Sequence, residues 1–146
     1  MEILNRKARF DYFIEDEIEA GIVLTGTEIK SIRLGKVNIG DSYAIIRNEE
    51  IYLLNTHISS YDNGNRFNHD DDRTRKLLMH KSQIKKLNNK VNLEGYTLIP
   101  LKVYFNKNKA KVLLGLCKGK KNYDKRETIK ERDIKRQIEK QTKNRY

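Results

Sequence analysis

The sequence predicts a mainly β fold, an OB-fold-like antiparallel β-barrel of about six strands with three short helices. A basic tail follows it. Three observations lead there. Two pairs of alternating apolar runs, 43–54 and 97–116, each enclose a short polar turn. A long alternating run from Arg9 to Leu24 carries one interior glycine, Gly21. Beyond Lys118-Gly119-Lys120-Lys121 the only aliphatic residues are Ile129, Ile134 and Ile138. The division is a folded body, 1–118, and a tail, 119–146.

Met1 to Lys7 is short and polar, and reads as loosely held. In Arg9–Ile18, Phe10, Tyr12 and Ile14 alternate with their neighbours, and Ile22-Val23-Leu24 resumes after Ala20-Gly21. This reads as one strand bent or bulged at Gly21, where another backbone could also come close. Thr27 is placed to cap a short helix that has Glu28 in its first turn, Ile29 and Ile32 inward and Lys30, Arg33 and Lys36 outward, ending at Leu34-Gly35. Arg47–Glu50 turns the first hairpin. Asp70-Asp71-Asp72 ahead of Arg73–Met79 reads as a helix start capped by Asp70, in preference to a magnesium site, because consecutive side chains diverge. A further helix spans about Ser82–Asn89. Pro100, which cannot donate to a ladder, belongs at a bulge or an edge.

The formal charge of the 146 residues is +11, and the segment from Lys118 onward holds 12 basic against 5 acidic residues. That concentration points to a polyanionic partner, since each neutralised phosphate releases counterions. One cysteine, Cys117, excludes an internal disulfide and reads as a small core residue, and three scattered histidines offer no zinc-ligand spacing. No apolar run approaches the roughly 18 residues of a membrane-spanning helix. The expectation is a cytoplasmic monomer with no membrane partner, no cofactor and no metal.

Five blocks in order, Asn5–Arg9, Glu19–Ile22, Gly26–Arg33, Arg73–Leu78 and Gly119–Lys121 with Tyr123–Arg126, closely resemble the small protein B family, which binds SsrA RNA (transfer-messenger RNA, tmRNA) in bacterial trans-translation. The resemblance runs from Asn5 to about Arg136. It implies a non-catalytic protein that binds the tRNA-like domain of tmRNA and delivers it to the stalled 70S ribosome. There the tail enters the empty mRNA channel against small-subunit rRNA and becomes helical. Two departures stand out: Asp70-Asp71 replaces an aspartate-proline pair common in the family, and His80 occupies a position that is histidine or asparagine in relatives.

The candidate tmRNA-binding residues follow from those blocks. They are Asn5, Lys7 and Arg9 near the N-terminus; Glu19, Ala20 and Gly21; Lys30, Arg33 and Lys36; Arg75, Lys76, Leu78 and His80; and Gly119, Lys120 and Lys121. The cations would supply charge near Gly21, and Glu19 would orient a neighbouring Arg or Lys or accept hydrogen bonds from the RNA. In the tail, Tyr123, Asp124, Lys125 and Arg126, then Lys130, Arg132, Lys135 and Arg136, are the candidate ribosome contacts. Tyr123 would either stack on a base, worth about 1–3 kcal/mol, or anchor the tail root. The tail has too little apolar surface to offset ordering entropy and is expected to be disordered when free. Two rival readings are a general OB-fold single-stranded RNA binder with an aromatic platform of Phe10, Tyr12 and Tyr104, and a nuclease using Asp70–Asp72.

Overall fold

The protein was analysed as a computed structural model, which describes residues 2–61 and 68–121, with Arg126 and Arg136 as two exposed helical positions beyond them. In chain order the elements are β1 (Glu2–Leu4), α1 (Ala8–Asp11), β2 (Tyr12–Ile22), α2 (Gly26–Arg33), β3 (Val37–Asn38), β4 (Tyr43–Arg47), β5 (Glu50–Leu54), β6 (His57–Ile58), β7 (Arg75–Leu78), α3 (Lys81–Glu94), β8 (Thr97–Asn106) and β9 (Lys109–Gly119). Six strands, β8-β4-β5-β7-β2-β9, form an antiparallel ring that closes where β9 returns to β8. β1 adds to the outside of β8, and β3 pairs with β6 apart from the ring. The fold is mainly antiparallel β with three helices, as the sequence predicts.

Both hairpins turn where expected. Asn48 and Glu49, then Lys107 and Asn108, all have positive φ, the arrangement of a two-residue turn whose twist matches the flanking strands. Inside the ring lie the fully buried side chains Ile51, Leu53, Ile58, Val112 and Leu114, with Ile84 and Leu87 of α3 joining the same core. A smaller cluster of Ala8, Ile99, Leu101 and Cys117 is buried on the other side of the β8–β9 pair. Burial pushes the Cys117 thiol up to about 11, which suits a packing residue.

Five local expectations need correction. Residues 75–78 form a strand, since Arg75 and Leu77 are buried while Lys76 and Leu78 are exposed. That period-two pattern seats them between β5 and β2, and Asp70 instead accepts a bond from the Asp72 amide in a turn (3.1 Å). The bulge in β2 lies at Glu15, between the pairs Ile14–Cys117 and Asp16–Leu116, and not at Gly21. A second bulge sits beside Pro100, as expected. Residues 8–11 are helical, so β2 begins at Tyr12. The N-terminus is held: β1 pairs with β8, and buried Asn5 donates to the carbonyls of Ile39 (3.2 Å) and Pro100 (2.9 Å). Finally, Thr25 and not Thr27 caps α2, in a reciprocal box with Glu28. The Thr27 hydroxyl meets His69 Nδ1 (2.8 Å), whose Nε2 lies 2.8 Å from the Ile58 carbonyl.

Glu28 does more than cap. Fully buried, it accepts from Arg75 Nε (2.6 Å), from Arg73 (2.5 Å) and from the Thr25 amide (2.9 Å). Arg75, also fully buried, donates further to the carbonyls of Thr56, Asp70 (3.3 Å) and Asp71 (3.0 Å). Burial pulls the Glu28 carboxyl upward, but the hydrogen bonds from Arg73, Thr25 and Arg75 outweigh it and hold it below its ordinary value. A lowered folded-state value means this stability is present above the ordinary carboxylate range near 4.5 and is lost as pH falls through the lowered one. Removing one partner strands a buried charge, so Arg75→Met should cost about 3–5 kcal/mol in urea unfolding. A loss near zero would show that the cluster holds nothing together.

Candidate nucleic-acid interface

Alternation along the strands sorts the candidate residues. On β2, Ala20 points inward and is buried, while Glu17 and Glu19 face out. Gly21 pairs with Leu78 of β7 on one side and Lys111 of β9 on the other. A side-chain carbon at Gly21 would come within 3.2 Å of the Leu78 Cβ, so Leu78 would have to give by a few tenths of an ångström. Gly21 is therefore half-buried against the Leu78 side chain, itself 53% exposed, with Lys111 on its other side. Lys76 lies two residues from Leu78 on the same face and pairs with Glu50 (3.0 Å), which also accepts from the Tyr52 hydroxyl (2.6 Å). Those bonds, Tyr52's first, hold the Glu50 carboxyl below its ordinary value.

Glu19 accepts a hydrogen bond from the Tyr104 hydroxyl across the sheet. Among the described residues no Arg or Lys is in ion-pair range of it, so the neighbour it orients is a phenol and not a cation. Burial, then the bond to Glu19, pushes Tyr104 up to about 12. Tyr104 thus stays a donor throughout the neutral range. Beside them a groove of about 580 Å³ is lined by Glu2, Arg6, Arg9, Glu17, Lys102 and Leu113. Arg9 reaches Glu17 across its floor (3.4 Å) and Lys102 meets Glu2 (3.2 Å).

The other cations are not gathered at Gly21. Tyr12 pairs with Gly119, nine residues from Gly21, a span of about 30 Å along a strand. At that far end stand Lys7, which meets Asp41 (3.9 Å), and Lys120, whereas Arg9 sends its guanidinium back along the sheet to Glu17. The Lys120 ammonium donates to the Arg9 carbonyl (3.0 Å) and lies over the Phe13 ring, while its amide bonds to Asp11 (2.8 Å). Gly119 ends β9, so Gly119 and Lys120 belong to the folded body, and exposed Lys121 follows. On α2, Lys30 lies over the Tyr61 ring (5.4 Å to its centre) and Arg33 over Phe105 (4.9 Å). Lys36 is exposed just past that helix, and His80 is exposed at the start of α3.

Three candidates are structural. Asn5, Ala20 and Arg75 are buried, and presenting any of them to RNA would require opening the fold. Polar and basic residues in a family block suggest contact, and Asn5 and Arg75 stand in such blocks. Buried hydrogen bonds from the Asn5 amide nitrogen and the Arg75 guanidinium give both a structural role. The sequence reading missed Lys111 and the pairing of Tyr104 with Glu19, because neither pairing partner nor face can be assigned without the β8–β9–β2 register. The candidates Tyr123, Asp124, Lys125, Lys130, Arg132 and Lys135 lie outside the described residues.

A family model, SmpB protein, matches residues 2–144. The chain belongs to the SmpB family. Its relatives include the SsrA-binding protein of Shouchella clausii, 60% identical over 141 residues (97% of this chain and 90% of that protein). That of Staphylococcus aureus strain Newman is 57% identical over 142 residues (97% and 92%). A chain of the solved structure "tmRNA-SmpB: a journey to the center of the bacterial ribosome" superposes with a TM-score of 0.70 at 50% identity, covering 83% of this chain and 85% of its own. Among the described residues of this SmpB-family chain, no helix is long and apolar enough to cross a membrane. Nor does any group of three or more His, Cys, Asp or Glu stand ready to hold a metal ion.

The Glu19–Tyr104 bond is directly measurable. In a spectrophotometric pH titration, the tyrosine signal lost in Tyr104→Phe should ionise near 12. Glu19→Gln should bring it part of the way down, burial supplying the remainder. An unmoved transition would exclude the bond.

Proposed function

We propose that this chain binds the tRNA-like domain of tmRNA and carries it to stalled ribosomes in trans-translation, acting by recognition rather than by chemistry. The outward face of β7, β2 and β9 is the contact. The observation that carries this reading is the outward surface at Gly21, where the exposed Leu78 side chain packs against the glycine and Lys111 lies opposite. The Glu19–Tyr104 pair lies alongside, with Tyr104 the donor. A tRNA-like fold presents A-form backbone, 2′-hydroxyls and unstacked elbow bases, which proteins read by shape, stacking and such hydrogen bonds. Leu78 offers an apolar contact for a base or ribose. Glu19, held by a neutral phenol, keeps acceptor capacity for a 2′-hydroxyl or a base amino group.

The tail is the second working part. Glu127 with Lys130, Glu131 with Lys135 and Asp133 with Arg136 have helical spacing, each pair worth about 0.2–0.5 kcal/mol, so rRNA must supply the rest of the ordering energy in the mRNA channel. A single-stranded RNA binder would need several exposed rings on one face. Phe10, Tyr12 and Tyr104 are each partly buried, which disfavours that reading.

In a gel shift with the isolated tRNA-like domain, Leu78→Glu should weaken binding at least tenfold, about 1.4 kcal/mol, while thermal melting stays unchanged. Equal affinity would remove the β7–β2 face from the interface. A chain ending after Lys121 should bind the RNA almost as the full chain does yet fail in a peptide-tagging assay on stalled ribosomes. The stop is set at Lys121 because cutting after Lys118 would remove the end of β9. Full tagging by the shortened chain would refute the tail's role.

A further inference from the structure

Helix α3 carries Lys81, Lys85, Lys86 and Lys90, all exposed, and one acidic residue, Glu94, at its end. This is a costly arrangement for a helix. Lys81/Lys85 and Lys86/Lys90 are like-charged at the spacing where side chains repel. The first turn holds no acid and the last turn no base, the opposite of what the helix dipole favours. Elsewhere on the body, Lys7, Arg9, Lys76 and Lys102 each meet a carboxylate. For these four lysines no ion pair is present among the described residues.

Their placement is ordered. Ile84 and Leu87 are buried in the core, so the opposite side of α3 faces away from the ring. Lys81 and Lys85 line a groove of about 470 Å³ against Ile46 and Glu49. Lys86 and Lys90 line another, of about 250 Å³, against Asp16 and Ile18. With 3.6 residues per turn, Ser82, Asn89 and Leu93 fall between the two lysine rows. Leu93 is 82% exposed. The face is thus two cationic edges about 10–12 Å apart around a polar strip about 18 Å long.

We propose that this face of α3 is a second RNA-binding surface that reads the minor groove of an A-form duplex, separate from the Gly21–Leu78 face. That groove is wide and shallow, bordered by two phosphate rows and floored with 2′-hydroxyls. The lysine rows match the two backbones, the Ser82 hydroxyl and Asn89 amide can donate to and accept from 2′-hydroxyls, and Leu93 packs on ribose. A B-DNA minor groove, about 6 Å wide, does not admit a helix, and a single strand offers one backbone only.

The test uses the full chain carrying Leu78→Glu, so that loss of the first surface cannot be mistaken for loss of this one. Its probes are a short RNA hairpin duplex, the same sequence as DNA, and a single RNA strand. The RNA duplex should bind at least tenfold more tightly than either other probe. Changing Lys81, Lys85, Lys86 and Lys90 together to Gln should abolish that preference and lower the slope of log affinity against log salt by about one unit per lysine. Asn89→Leu should narrow the RNA-over-DNA ratio while leaving the salt slope unchanged. Equal binding of all three probes, or an unaltered slope in the quadruple variant, overturns the proposal. So does binding of an acidic protein partner in place of duplex RNA.

Discussion

One buried carboxylate governs the geometry of this molecule. Glu28 sits at the base of α2 and is held by two arginines, one of which, Arg75, also gathers the carbonyls of Thr56, Asp70 and Asp71. Desolvating two charges is expensive, and a hydrophobic replacement of equal volume is often as stable. The better account of such a cluster is registry. β7 has only four residues, and a slip of one would turn every side chain to the other face. With Arg75 committed inward, Lys76 and Leu78 must face outward. Pairing with β2 then sets Leu78 beside Gly21. The outward surface of β7 and β2 inherits its order from an ion cluster on the opposite side of the strand.

This dependence explains what was legible in the sequence. The hairpins were readable because local turn chemistry and period-two patterning agree at Asn48-Glu49 and Lys107-Asn108. Leu77 and Met79 could not be assigned as readily, because a short run of apolar residues after three aspartates fits a capped helix as well as a strand. The non-local fact that Arg75 has a buried partner 47 residues away decides it. At the start of β2, aromatic alternation hid the single turn of α1, which the small cluster around Ala8 holds in place. Bulge positions were half visible. Proline announced one, but Glu15 carries no local mark, and Gly21, which does, is needed for close strand packing instead.

The same limit applied to the interface. Reading a motif says which residues matter without saying why. Asn5 and Arg75 matter because they satisfy buried carbonyls, Gly21 because β7 approaches closely, and Glu19 because it is exposed and engaged by Tyr104. Only register and burial separate these roles.

The distribution of charge also argues for a division between attraction and discrimination. The central face holds Glu17, Glu19, Gly21, Leu78, Tyr104 and Lys111, with Lys76 already paired to Glu50. It is close to neutral and unsuited to drawing in a polyanion. Other cations lie outside it, on α3, past α2 at Lys36, and toward the tail. Phosphate contacts position a nucleic acid and give salt-dependent affinity without telling one sequence or shape from another. A neutral centre with fixed donors, acceptors and one apolar side chain does the reverse. A tRNA-like domain that arrives on the rims but cannot seat its elbow against Gly21 and Leu78 would be held weakly and released by salt. The carboxylate at Glu19, which repels bare phosphate, makes such mis-seated binding worse and therefore sharpens the choice.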